Sequence, residues 1–337
     1  MRKSMTILLP FVGFFLLILD DETAVVGATE GIQLCLQTVV PSLFPFFVLS
    51  SLVTTGLSGQ ALGFLSPVAR LLRIPAGSEQ FWLVGLLGGY PVGASVLSEA
   101  HRDGTLSRTD FSRMMAFCSN CGPSFIFGIG SHLFSNKLWC WLLWLIHIAA
   151  STLVALLTPG GEQISIQTKV KRKASLSASM ASAVRTMGYV CGWVVLFRVI
   201  IAFGHRWFLW AFPKWVQISL LGFLELANGC TQLYTVAEES VRFVYFSMFI
   251  GFGGACVTMQ TQSLCDGLGM YIPGKFMHGL LSALLAGMLV SGKMRLQLAT
   301  LTLLLIGIYY FLTHRLQKGL DFHFNLLYDK RKSIRGN

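Results

Sequence analysis

Three stretches of this chain, residues 31–69, 138–161 and 243–265, contain no Asp, Glu, Lys or Arg at all. A helix needs about 20 consecutive apolar residues to cross a hydrocarbon core, and each stretch is longer than that. Charged residues make up only 12% of the whole chain and hydrophobic ones 54%, whereas soluble domains carry roughly 25% charged residues. The expected fold is an all-α polytopic membrane protein with about eight transmembrane helices and two inverted repeats containing re-entrant hairpins and interrupted helices. The net charge of +11 reads as a positive-inside bias of segment ends and loops. A nucleic-acid partner would need a soluble basic face with interleaved aromatics, and none is present.

The spans are expected near 5–19, 33–57, 114–131, 138–158, 186–204, 243–262, 276–291 and 296–312, with both chain ends in the cytoplasm. The start "MRKSMTILLPFVGFFLLILDDE" also fits a signal peptide, but Asp20, Asp21 and Glu22 stand where a small-residue cleavage site would follow, so a first span is preferred. "FWLVGLLGGYPVGASVL" (81–97) is short and broken by Gly88, Gly89, Pro91 and Gly93, which predicts a re-entrant hairpin buried by protein or lining a cavity. "KVKRK" (169–173) places its loop in the cytoplasm. Arg206, Lys214, Lys293 and Arg295 fall on the other side and sit poorly with that bias.

"LVGLLGGYPVG" aligns with "SLLGFLELANG", Gly85 on Gly222, and "FCSNCGPSF" with "FIGFGGACV", Gly122 on Gly254. The expected organisation is an N-terminal transmembrane helix and external linker over 1–30, a first repeat over 31–136, and a connecting helix with a basic loop over 137–183. An inverted second repeat over 184–292 and a C-terminal helix with a basic tail over 293–337 complete it. Interrupted segments at matching positions of inverted repeats point to a carrier's binding site.

The interruption "FCSNCGPSFIFG" (117–128) carries the first group of candidate substrate-binding residues: Ser119, Asn120, Cys121, Gly122, Pro123 and Ser124. A helix restarted within the bilayer leaves backbone N–H groups free to meet a carboxylate or phosphate. Pro123 suits the first helical turn, and Asn120 is expected to cap it. Gly253 and Gly254 are the counterparts in the second repeat, with polar groups from Thr258 and Gln260. Packing of small residues between helices is the alternative. Arg198 and Glu225 interrupt apolar segments, where a charge is costly and needs a partner or a cavity. They are expected either to pair with each other or to meet substrate, with Asn228 and Tyr90 nearby. His147 reads as a hydrogen-bonded core residue.

The eight cysteines lie mostly in apolar runs and read as packing residues. Cys118 and Cys121 have redox spacing without the βαβ context that chemistry uses. No catalytic signature is present, so neither an enzyme, a metal nor a cofactor is expected.

"PSLFPFFVLSSL" (41–52), "GLLGGYPVGASVL" (85–97), "FCSNCGPSFIFG" (117–128) and "GFLELANG" (222–229) together resemble sporulation integral membrane proteins of the nucleoside-recognition, or Gate, domain family, over about residues 30–290. The resemblance implies a transporter that moves dipicolinic acid from the mother cell across the outer forespore membrane. Its partners would be that anionic substrate and the lipid bilayer. A nucleoside-like cargo and a non-transporting structural membrane protein are the alternatives.

Overall fold

Glycine, proline and short polar residues punctuate this chain often enough that few of its apolar runs stay unbroken. The computed structural model describes residues 2–57, 62–160 and 175–335, and contains no strand among them. Its helices are α1 (Arg2–Leu19), α2 (Asp21–Leu34), α3 (Val40–Gly56), α4 (Ser66–Leu71), α5 (Glu79–Leu87), α6 (Val92–Arg102), α7 (Arg108–Met114) and α8 (Pro123–Leu133). There follow α9 (Leu138–Leu157), α10 (Leu176–Trp207), α11 (Lys214–Leu224), α12 (Leu226–Gln232), α13 (Glu239–Phe252), α14 (Gly254–Leu264), α15 (Tyr271–Val290) and α16 (Arg295–Arg335). The basic loop 169–173 lies outside the described residues.

Five helical stretches among the described residues are long and apolar enough to cross a membrane: α9, α10, α13 with α14, α15, and α16 as far as Arg315. A sixth arises if the pair Asp21–Val39 and Leu43–Gly56, bent by 53°, counts as one span. That is fewer than the eight expected, for three reasons. In the span expected at 5–19, only the shorter apolar helical stretch Pro10–Leu19 is found among the described residues. The segment 114–131 is not one helix: α7 stops at Met114 and α8 starts at Pro123, and an 11-residue helix is only about 16 Å long. The span expected at 33–57 begins earlier, as the polar α2, and turns through a π-helical turn at Cys35–Val39 into α3. Conversely, α10 runs for 32 residues, or about 48 Å, well beyond the range 186–204.

The distribution of side chains is that of a lipid-embedded protein. Phe14, Trp210 and Leu303 are about 70% exposed, while Asp110, Arg113, His147, Glu225, Lys275 and His278 are buried. Asp20 accepts from Trp207 Nε1 (3.0 Å) and lies 4.0 Å from Arg206, so the acidic triplet and the far end of α10 share one end of the molecule. Arg113 gathers another end. Its guanidinium donates to the carbonyls of Leu72 (2.8 Å), Arg73 (3.1 Å), Ala155 (2.8 Å) and Thr158 (3.1 Å). It thereby satisfies free C-terminal carbonyls of α4 and α9.

The two stretches aligned above fold alike. α5 and α6 form the predicted hairpin, with Gly93 against the Cα of Gly85, and a Cβ on either glycine would overlap the Cys118 carbonyl. α11 and α12 cross in the same way, Gly229 against the Cα of Gly222, with the Phe249 ring behind Gly222. The first hairpin's turn meets the first break, since a Cβ on Gly122 would lie 2.9 Å from Gly89 Cα. The second hairpin's turn meets the second break, since a Cβ on Gly254 would lie 3.3 Å from Leu226 N and 3.4 Å from Gly222 O and Leu224 O. The helix break between α11 and α12 falls at Glu225.

α15 touches both halves at backbone distance. Near its start Gly274 packs on Ala116, at 2.6 Å from a Cβ position, and farther along Gly279 meets Gly251, 2.9 Å from that residue's Cβ position.

Candidate functional site

The segment Cys118–Gly122 is non-helical, and α8 begins after Gly122 with Pro123 in its first turn. Ser119 and Asn120 are fully buried there. Asn120 does not cap α8: its Nδ2 donates to Phe117 O (2.7 Å), which turns Oδ1 the other way. What Oδ1 faces is the ammonium of Lys275 at 3.3 Å. Lys275 Nζ also donates to the Ser119 carbonyl, and lies 3.2 Å from His278 Nδ1 and 3.5 Å from the Tyr90 hydroxyl. It sits 5.2 Å from the centre of the Tyr90 ring. Only 1% of Lys275 is exposed, and every hydrogen-bond partner it has among the described residues is neutral.

Two histidines back this cluster. His278 Nε2 lies 3.0 Å from the His147 carbonyl, and the two rings are 4.3 Å apart. His147 Nε2 accepts from the backbone N–H of Cys121 (3.1 Å), so this imidazole, as expected, is a hydrogen-bonded core group. The Cys121 thiol is buried and faces Gly122 O at 3.9 Å. Ser124 is exposed on α8 and does not join the cluster, because the first turn of the helix carries it outward.

The second break is made by Gly253, whose φ of +84° is left-handed, a conformation glycine adopts without strain. α13 and α14 together still pass as one 26-residue span, so the break is a local kink. The Tyr90 ring packs on Gly253, and its hydroxyl donates to the carbonyls of Ile250 (3.0 Å) and Gly251 (3.2 Å). The starts of α8 and α14 carry no side-chain cap. Near them the Tyr271 hydroxyl neighbours those of Thr261, Thr258 and Ser119. Tyr271 OH, Ser119 Oγ and Thr261 Oγ1 are buried, and among the described residues they have only one another's neighbourhood and no well-aligned hydrogen bond, which is uncommon for polar atoms away from water. Thr258 bonds its own helix at Gly254 O, and Gln260 Nε2 donates to Cys256 Sγ.

The remaining predicted residues form a second group. Glu225 does not bond Arg198. Its carboxylate caps α12, accepting from Ala227 N (3.0 Å) and Asn228 N (2.7 Å), because the chain restarts a helix immediately after it. Arg198 instead pairs with Glu30 on α2 (3.4 Å) and donates to Asn228 Oδ1. The geometry thus favours a structural role for Arg198, with a partner other than the one foreseen.

Lys275 and His278 were not foreseen either. Lys275 stands just before an apolar run and looks like a charge flanking a span. The available signal was the spacing K-x-x-H in "GKFMHGLL", which puts both side chains on one helix face.

An apolar outer belt around an interior of broken helices and buried charge defines a polytopic α-helical integral membrane protein. Over 104 residues, 30% of its length, the chain is 30% identical to the sporulation integral membrane protein YlbJ of Bacillus subtilis (strain 168). The match spans 26% of that relative, about a quarter of its length. No family profile matches the chain, the nucleoside-recognition domain included, and no solved structure matches it significantly.

Proposed function

We propose that this protein carries a small organic anion across a membrane, with dipicolinate moved out of the mother cell through the outer forespore membrane as its cargo. The observation that carries this reading is Lys275, a buried lysine with no carboxylate partner among the described residues, held against the segment that leads into the uncapped start of α8 and against Tyr90, which packs on the second break. Burying an uncompensated charge costs several kcal/mol. A membrane protein recovers that cost where an ion of opposite sign must pass. Free N–H groups at helix starts add to the attraction for carboxylates. Pyridine-2,6-dicarboxylate is a flat dianion that does not cross lipid unaided. Export down an inside-negative potential is favourable by about 2.3 kcal/mol per charge per 100 mV, so the reading assigns the protein no chemical step and no pump. The likeness to a sporulation membrane protein and the motif resemblance support the cargo and the membrane.

Reconstitution tests this directly. Vesicles containing the protein should release dipicolinate faster than empty ones, faster still with an interior-negative potential, and Lys275→Gln should slow release at least tenfold. Flux no greater than from empty vesicles would leave a structural membrane protein. The buried cluster of hydroxyls at Ser119, Thr258, Thr261 and Tyr271 favours a second reading, a hydroxylated neutral cargo such as a nucleoside. That cargo would compete with dipicolinate, and its flux would ignore the potential.

A further inference from the structure

Around the Lys275 ammonium the acceptors are all neutral, and three of the four are aimed by a second bond. Asn120 Oδ1 is turned toward it because Nδ2 is engaged by Phe117 O. The Tyr90 hydroxyl gives its proton to Ile250 O or Gly251 O and so presents a lone pair. The His147 carbonyl can only accept, so His278 carries its proton on Nε2 and turns the Nδ1 lone pair to Lys275. The fourth acceptor, the Ser119 carbonyl, belongs to the unwound segment itself. Unwound backbone carbonyls at a broken helix are where membrane carriers coordinate a small monovalent cation, and here neutral side-chain acceptors complete the ring around one such carbonyl. A carboxylate would be the ordinary partner for a lysine serving only as a crosslink, and none approaches among the described residues.

We infer that the first break is a monovalent-cation socket which the protein fills with its own tethered ammonium, Lys275, so that no free alkali cation is taken up there. This holds whatever the cargo. The acceptors come from three elements, the α5–α6 turn, the 118–122 segment and α15, and they close around a cation only when those elements are assembled. An untethered ammonium of similar size should therefore replace the lysine head once the side chain is cut away.

Thermal unfolding of the purified full-length protein in detergent tests this without any transport assay. Wild type, Lys275→Ala and Lys275→Met are compared in tetramethylammonium, methylammonium and sodium chloride at equal ionic strength. The wild type should unfold at one temperature in all three salts. Lys275→Ala should unfold lower in tetramethylammonium, which is too large to enter, and regain at least half of that loss in methylammonium or sodium. Lys275→Met, which fills the space without charge, should show no such recovery. The inference is overturned if Lys275→Ala responds to the salts no differently from wild type, or if Lys275→Met recovers equally. It is equally overturned if sodium stabilises the wild type over tetramethylammonium, or if Lys275→Ala yields no folded protein even in methylammonium.

Discussion

Tyr90, in the turn of the first hairpin, docks on Gly253, at the break of the second half. A Cβ added at Gly253 would lie 3.2 Å from the Tyr90 ring, and the phenol hydroxyl bonds the carbonyls of Ile250 and Gly251. Those carbonyls belong to the last turn of α13, where the broken helix leaves its acceptors without internal partners. Tyr90→Phe removes the donor and keeps the ring, so stability should fall by about 1 kcal/mol, read as a lower unfolding temperature in detergent.

Gly253→Ala should cost more than Tyr90→Phe. Alanine at a φ of +84° carries about 1 kcal/mol of backbone strain, and its methyl presses on Tyr90. Gly128→Ala, where an added Cβ meets nothing within 4 Å, should leave the unfolding temperature unchanged or slightly raised.

The hairpin crossings make a paired prediction. Gly85→Ala and Gly222→Ala should each destabilise by about 1–3 kcal/mol, the usual range for overpacking. The first clashes with a carbonyl that cannot swing aside and the second with an aromatic ring that can. Gly85→Ala should therefore give the lower yield of folded protein after detergent extraction.

Arg113→Lys should cost at least about 2 kcal/mol. A planar guanidinium reaches four carbonyls at once, whereas a point-like ammonium has three donors on a single atom and leaves buried carbonyls unpaired. Unfolding temperature checks this too, with Arg70→Lys, whose one hydrogen bond among the described residues is to Ser66 O on an exposed surface, as the neutral control.

Glu225→Gln keeps a side-chain oxygen for one of the two amides, while Glu225→Ala removes the cap, worth about 1 kcal/mol. The order of stability should be wild type, Gln, Ala. Cys118→Ala combined with Cys121→Ala should leave dipicolinate flux within twofold of wild type, because both thiols pack among apolar neighbours. Loss of flux would instead point to thiol chemistry.

The helix breaks were legible where local residues force them. Gly122-Pro123 and Gly253-Gly254 lack the preferences that sustain a helix, and the pairing of Gly85 with Gly222 survived because a backbone crossing tolerates nothing larger. Glu225 was read as a membrane-depth charge in search of a cation, yet it serves its own helix, since an N-cap role depends on where the helix starts. Arg198 found Glu30 because α2, too polar to be read as part of a span, packs alongside α10. Hydropathy registers an apolar stretch such as 114–131 without registering that its backbone turns midway, so that segment reads as a span although α7 and α8 divide it. The Lys275 socket draws acceptors from residues 90, 119, 120 and 278, and local pattern carries no information about contacts so distant in the chain.

The placing of α15 constrains how such a molecule can work. It is a strut across the seam, its early part wedged on Ala116 of the first half and its later part on Gly251 of the second, each contact made by a glycine pressed close to the other backbone. The halves therefore cannot part as two rigid blocks. Any rocking must unseat one end of the strut or flex it between Gly274 and Gly279, the stretch that holds Lys275 and His278.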